Sequence, residues 1–153
     1  MRAWFAVLLL ALAACHPADS SMTLERSPAG LEQIPLTITS SGKAHRFTVE
    51  VARTGPEQET GLMNRPSMDP DHGMIFPYGS AQGVAFWMKN TMIPLDMIFV
   101  APGGKILRIE DSAVPYSLEP VPSGGEVEAV IELNGGRAAS LGIHHSDQVD
   151  WKR

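Results

Sequence analysis

The side chains best suited to recognising a ligand are concentrated in the middle of the chain. Trp87 offers an aromatic platform, Arg65 and Lys89 offer positive charge, and Asn90 and Asp96 offer an amide and a carboxylate. Sites for small molecules and sugars combine an aromatic surface with a few polar groups. We therefore predict that Arg65, Trp87, Lys89, Asn90 and Asp96 line one concave binding site.

Asp96 also has a structural interpretation. Strand alternation places it on the same side as Ile98, and a carboxylate on a half-apolar face must be paired or hydrogen-bonded. It would then brace its own turn. Glu132 is a weaker candidate, because alternation groups it with Glu128 on what we expect to be a solvated face, beside a turn that begins at Asn134.

The same residues permit an enzymatic hypothesis. Asp96 or Glu132 would act as the acid or base, and Lys89 or Arg65 would stabilise developing charge. The sequence contains no nucleophile elbow, phosphate-binding loop or dinucleotide fingerprint. We therefore predict no cofactor.

Metal binding is the other chemistry that the composition raises. Six methionines fall between Met63 and Met97, but they are spread over separate elements, which favours packing over a copper(I) site. A divalent metal would need two loops to meet, and the available carboxylates and histidines are Asp69, Asp71, His72, His144 and His145. Adjacent histidines on a strand point to opposite faces, so we predict no metal.

The N-terminus predicts export. Arg2 precedes an apolar run, Ala3 to Ala14, that is too short for a membrane span, and Leu12-Ala13-Ala14-Cys15 resembles the bacterial lipobox. Residues 1–14 would be a signal peptide and Cys15 the lipidated N-terminus, anchored in a membrane. The alternatives are an ordinary secreted protein or a buried cysteine. His16, in place of Asp, predicts sorting to the outer membrane, facing the periplasm.

Composition divides the remaining chain into a tether and one domain. Residues 15–33 are rich in Ser, Pro and Ala, as in flexible linkers, and residues 34–153 form a single predicted domain. Cys15 is the only cysteine, so no disulfide is expected. The net charge of −5 and the lack of a basic run argue against nucleic acid as a partner.

The elements that must position these residues are mostly short strands. Alternating apolar residues between turn signals predict strands, and Pro102-Gly103-Gly104 is the clearest hairpin turn. Thr54 and Glu57 have capping-box spacing before a short helix over 55–63, and 136–141 is a second candidate helix. The predicted strands cover 36–39, 47–51, 74–76, 84–89, 95–100, 105–109, 127–133 and 148–151. The fold class is therefore mostly β, a small compact barrel or curled antiparallel sheet with one or two short helices.

Several motifs resemble one family of small prokaryotic proteins, catalogued as an uncharacterised ancient conserved region, a domain of unknown function. The motifs are Gly61-Leu62-Met63-Asn64-Arg65, Gly73-Met74-Ile75-Phe76, the fifteen residues from Phe86 to Val100, and Glu132-Leu133-Asn134-Gly135-Gly136. The resemblance covers about residues 35–151 and implies a β-rich, often exported domain with no established activity. One departure is His145-Ser146-Asp147, where the family usually has a Gly-Asp turn.

Three functional hypotheses follow. The first is a non-enzymatic, envelope-tethered binding or accessory module that holds a small molecule, glycan or partner protein. The second is a small hydrolase or transferase acting on an envelope polymer. The third is a purely structural lipoprotein. The side-chain geometry around Asp96 and Trp87 distinguishes the first two. A second close carboxylate or a deep cleft beside Asp96 favours catalysis, and a shallow groove edged by Trp87 favours binding.

Overall fold

The computed structural model describes residues 26–152, and in this part of the chain the domain is mostly β. The predicted signal peptide and Cys15 lie outside the described residues. The strands are β1 (Gln33–Ser40), β2 (Lys43–Val51), β3 (His72–Gln82), β4 (Ala85–Phe86), β5 (Leu95–Val100), β6 (Ile106–Ala113), β7 (Val121–Pro122), β8 (Val127–Asn134) and β9 (Gln148–Trp151). The helices are α1 (Gly55–Thr60) and α2 (Arg137–Leu141). Among residues 26–152 no helix has the length and apolar character needed to cross a membrane.

Seven strands form one sheet in the order β6-β5-β8-β3-β2-β1-β9, and β4 pairs with β7 in a second, two-stranded sheet. The main sheet is mixed, because β2 and β3 run parallel while its other pairs are antiparallel. The predicted antiparallel arrangement therefore holds for every pair of the main sheet except this one. The crossover through α1 and the loop after it is what returns the chain in the same direction.

The sheet is curled, as predicted, and is not closed into a barrel. Its edge strands approach each other where Lys105, just before β6, forms an isolated bridge with Gln148 of β9. There the backbone N–H of Ile106 donates to the carbonyl of Asp147 at 3.0 Å. This contact is confined to one end of the curl.

Each face of the sheet carries its own apolar core. The inner face of the curl buries residues such as Val49, Ile98 and Ile131. The outer face buries Met74 and Phe99 and is covered by the loops on either side of β4 and by the loop after α1, which contribute Leu62 and Met88 among others. The fully buried strand β5 has both cores as neighbours, since its residues alternate between them.

Local signals located most elements. The capping box at Thr54 and Glu57 is present, and α1 ends at Gly61, which has a positive φ of 46°. The strand predicted over 84–89 is only two residues long, and β7 was not predicted. At the other end, Ser27 is buried and donates a hydrogen bond from its hydroxyl to Glu50 at 2.9 Å, so residues directly before β1 contact the sheet.

Candidate functional site

The structure separates Asp96 from the other predicted site residues. On β5 it lies on the inner face with Ile98, whereas Leu95 and Met97 belong to the outer core. Arg65, Trp87, Lys89, Asn90 and Glu132 lie on or beside the outer face. The prediction of one site that includes Asp96 is therefore wrong, because strand alternation sends this side chain through to the other face of the sheet.

Asp96 is fully buried and bound by backbone groups. Its carboxylate accepts hydrogen bonds from the N–H of Ser112 at 2.9 Å, of Gly136 at 2.7 Å and of Ala138 at 2.8 Å. Burial raises the pKa of Asp96, while the three N–H donors act in the opposite direction. A Cβ on Gly135 would lie 2.8 Å from Pro94, so the loop before α2 is packed tightly against the residue that precedes β5. Asp96 thus joins β5, β6 and the start of α2.

Arg65 is held by a glutamate that sequence analysis did not select. Both of its terminal nitrogens donate to the carboxylate of Glu50 on β2, one of them at 2.8 Å. Burial alone would raise the pKa of Glu50, but the hydrogen bonds and charge of Arg65, with the hydroxyl of Ser27, lower it below its ordinary value. A bidentate pair of this kind fixes the loop after α1 over the sheet.

Glu132 is buried, and the expectation that it lies on a solvated face is wrong. Its side chain faces the outer core, in a cross-strand row between Met74 and Met97, and the residue is 5% exposed. Within residues 26–152 no group donates a hydrogen bond to its carboxyl. Burial raises the pKa of Glu132 to about 8, although the positive charge of Arg65 lowers it. A Cβ on Gly73 would meet the backbone oxygen of Glu132 at 2.5 Å, so β3 and β8 are closely packed here.

Glu132 lies at the bottom of a cleft with aromatic walls. An inner cavity of about 40 Å³ is lined by Glu132, Trp87 and other residues of α1 and the covering loops. It continues into an outer cleft of about 480 Å³ along α1, and Gln58, Glu59, Phe76, Phe86 and Trp87 line both spaces. The rings of Phe76 and Phe86 meet edge to face, with centroids 5.0 Å apart, and form part of its wall.

Trp87 stands at the lip of this cleft. It is 49% exposed, and the Lys89 ammonium lies 5.1 Å from the centre of its ring. Its neighbour in sequence, Met88, is buried in the outer core, and alternation places the two side chains on opposite sides of the chain. Trp87 is thus a partly exposed ring with a polar neighbour and not a core residue.

Lys89 and Asn90 lie at the rim and do not line the cavity itself. The backbone carbonyl of Asn90 accepts a hydrogen bond from the backbone N–H of Asn64 at 2.9 Å. The side-chain amide of Asn90 contacts the sulfur of Met63. Asn90 has a positive φ of 54°, which an asparagine adopts more readily than most residues. Its position joins the two loops that form one wall of the cleft.

The candidate metal ligands do not form a centre within the described chain. Among residues 26–152 no group of three or more His, Cys, Asp and Glu side chains is arranged to hold a metal. Met74, Met88 and Met97 are buried in the outer core, where they pack against apolar neighbours.

The functional residues that sequence reasoning missed are Glu50, Phe76, Phe86 and the polar side chains of α1. Glu50 alternates with buried residues on β2 and therefore resembles an ordinary solvent-facing glutamate. The phenylalanines resemble core residues. No local signal marks them, because their role depends on which loops cover the outer face.

Comparison with known proteins places the chain among domains of unknown function. A crystal structure of a Novosphingobium aromaticivorans protein of unknown function is 44% identical, with a TM-score of 0.81, and the match covers 83% of this chain and 91% of that one. A Sinorhizobium meliloti protein named provisionally as a transcription regulator is 41% identical, with a TM-score of 0.77, and the match covers 79% of this chain and 95% of that one. No functionally curated protein matches. The family DUF192, described as an uncharacterised ACR, matches residues 36–151, and the chain belongs to this family.

Proposed function

We propose that this domain is a non-enzymatic binding or accessory module that holds a small molecule, or a group on a glycan or partner protein, in the cleft beside Trp87. The observation that carries the proposal is the half-exposed Trp87 ring at the lip of a cleft that ends on Glu132. An aromatic platform above one buried polar group is typical of a site that orients a ligand.

The arrangement of carboxylates supports binding over catalysis. Acid and base catalysis on a polymer ordinarily needs two groups that reach the same bond. Glu50 is occupied by Arg65, and Asp96 lies on the other face of the sheet bound to backbone N–H groups. Among the described residues two carboxyl groups line the cleft, and only Glu132 is buried, since Glu59 is exposed on α1.

The hydrolase or transferase hypothesis keeps one specific observation in its favour. The raised pKa of Glu132, about 8, is what a general acid near neutral pH requires. If the domain is an enzyme, Glu132→Gln will abolish turnover while ligand binding persists. A binding module shows no turnover in either protein.

The location that we propose is the bacterial envelope, with a lipid on Cys15 anchoring the domain in the outer membrane facing the periplasm. The support is the sequence from Arg2 to Cys15. The net charge of −5 and the lack of a basic run disfavour nucleic acid as a partner, and with it the role that the name of the Sinorhizobium meliloti protein suggests.

The test is a ligand screen of the full-length protein in detergent, read by Trp fluorescence and thermal shift. The panel contains neutral sugars, amino acids and alkylamines. We expect at least one class to bind, and Trp87→Ala to remove that binding without a large change in melting temperature. Tyr116→Ala is the matched control, because Tyr116 is also an exposed aromatic residue, at 58%, and does not line the cleft. Binding that Trp87→Ala leaves intact, or no binding by any class, would contradict the proposal and favour a purely structural lipoprotein.

A further inference from the structure

The inner cavity ends on a carboxyl group that the described chain does not use. Glu132 is only 5% exposed, and it lines the cavity. None of residues 26–152 forms a hydrogen bond with its carboxyl group. A buried carboxyl without a partner is costly, so natural proteins seldom keep one without a use. The carboxyl group of Glu132 is therefore available to form hydrogen bonds with a ligand in the cavity.

None of the charged groups around Glu132 in the described part of the chain forms an ion pair with its carboxyl group. Arg65 is the nearby cation, and both its terminal nitrogens are bound to Glu50 on β2. Tyr78 of β3 is close enough to interact electrostatically with Glu132. Burial, and to a smaller extent the Glu132 carboxylate, raise the pKa of Tyr78 to about 12. Glu59 of α1 adds negative charge at the cleft wall. On the far side of Met97, Glu110 of β6 is paired with Arg108.

The walls of the cavity are suited to a cation. Phe76, Phe86 and Trp87 line it, and aromatic faces attract ammonium groups. The volume of about 40 Å³ limits the group that enters, since one water molecule needs about 10 to 15 Å³ by this measure. A few heavy atoms in a row fit, whereas a sugar ring would have to remain in the outer cleft.

We propose that the inner cavity binds a primary ammonium group on a narrow alkyl stem, with the nitrogen against the Glu132 carboxylate and the stem between the aromatic rings. This inference rests on the proposed function and names the chemical class of its ligand. Two sources supply this chemistry: a free alkylamine and a lysine side chain of a peptide.

Binding of such a cation releases a proton. In the free protein the pKa of Glu132 is about 8, so the carboxyl is mostly protonated at pH 7. An alkylammonium keeps its own proton there, because its pKa is about 10.4. The incoming cation favours the ionised carboxylate, and the Glu132 proton passes to solvent. Affinity should therefore rise with pH up to about 8 and then level off.

The experiment is isothermal titration of the full-length protein in detergent with n-butylammonium chloride at pH 6, 7 and 8, in buffers of different ionisation enthalpy. We expect an affinity increase approaching about tenfold per pH unit below pH 8, with nearly one proton released at pH 6. The neutral n-butanol should bind at least about tenfold more weakly at pH 8, a difference of about 1.4 kcal/mol.

Two variants locate the effect. Glu132→Gln keeps the size of the side chain and should remove both the affinity for n-butylammonium and the proton release. Glu126→Gln is the matched control, because Glu126 is an exposed glutamate that does not line the cleft, and it should change the affinity less than about threefold without altering proton release. N-acetyl-lysine methylamide tests the source: equal or tighter binding than butylammonium assigns a peptide lysine, and weaker binding assigns a free amine.

The failures of the two proposals differ. If n-butanol or a neutral sugar binds as tightly as n-butylammonium, and Trp87→Ala removes that binding, the ammonium inference is wrong and the binding module stands. Butylammonium binding that is independent of pH and unchanged in Glu132→Gln also overturns the inference. If no compound binds at the cleft, both proposals fail.

Discussion

Glu50 and Glu132 lie in one row across the sheet, with Met74 between them, and their carboxyl groups have opposite pKa changes. Both face the outer core. Arg65 accounts for the difference, because it hydrogen-bonds to Glu50 and reaches Glu132 only through its charge. One ionised and one neutral carboxyl group therefore occupy neighbouring positions near neutral pH, and only the neutral one lines the cleft.

The first prediction concerns pH and stability. The pKa of Glu132 is raised from 4.5 to about 8, so the folded state holds a proton that the unfolded state has lost. The stabilisation that comes from this bound proton is fully present below about pH 4.5 and is lost as the pH rises through about 8. Glu132→Gln, which stays neutral, should gain stability relative to the wild type over this range, by up to about 1.4 kcal/mol per pH unit. Urea titrations of both proteins from pH 4.5 to 8.5 measure the free energy of unfolding. A difference between the two proteins that does not change with pH would contradict the prediction.

The second prediction concerns the Arg65 pair. Arg65→Ala leaves Glu50 buried without its cation and should cost on the order of 3 kcal/mol near neutral pH. Arg53→Ala is the matched control, because its pair with Glu32 is about half exposed, at 50% and 52%, and should cost less than about 1 kcal/mol. Denaturant midpoints at pH 7 compare them.

Because the pKa of Glu50 is lowered, the stabilisation that the Glu50–Arg65 ion pair provides depends on pH. Its contribution is present above the ordinary pKa of the carboxyl and is lost as the pH falls through the lowered value. The difference between the wild type and Arg65→Ala should therefore shrink in acid. A difference that grows as the pH falls would be inconsistent with this ion pair.

The third prediction separates Asp96 from the cleft. In Asp96→Asn an NH2 group would face one backbone N–H donor, so the variant should lose roughly 1.5 to 3 kcal/mol of stability. Binding by the folded fraction should be unchanged, because Asp96 lies on the inner face. Asp150→Asn on β9 is exposed and serves as the control. Thermal melts alongside a binding assay decide the point, and a stable Asp96→Asn protein with lost binding would place Asp96 in the site after all.

The fourth prediction concerns the anchor. Replacing Cys15 by Ser should block lipid attachment and release the protein from the membrane fraction, because the thiol is the group that accepts the lipid. Fatty-acid labelling of cells that produce the wild type and the variant measures this. A wild type that carries no lipid and fractionates as a free protein would show that the Cys15 prediction is wrong.

The sequence alone determined most of the elements and the face on which most side chains lie. The capping residues Thr54 and Glu57 mark α1, and turn residues separate the strands. Period-two alternation placed Trp87 and Met88 on opposite sides of the chain and set Asp96 opposite Met97, but it left open which of those sides is the core. These features depend on residues that are close to one another in the chain, so they can be predicted from the local sequence pattern.

Tertiary structure alone decided the pairing of the strands and the composition of the cleft. The parallel pair of β2 and β3 follows from how the crossover returns to the sheet. Glu132 is buried because loops distant in sequence cover the outer face, and Glu50 acquires Arg65 from one of those loops. Alternation assigns a side chain to a face, but whether that face meets water, a core or a cleft depends on long-range packing. The free energy of that packing is shared among many contacts and has no local signature.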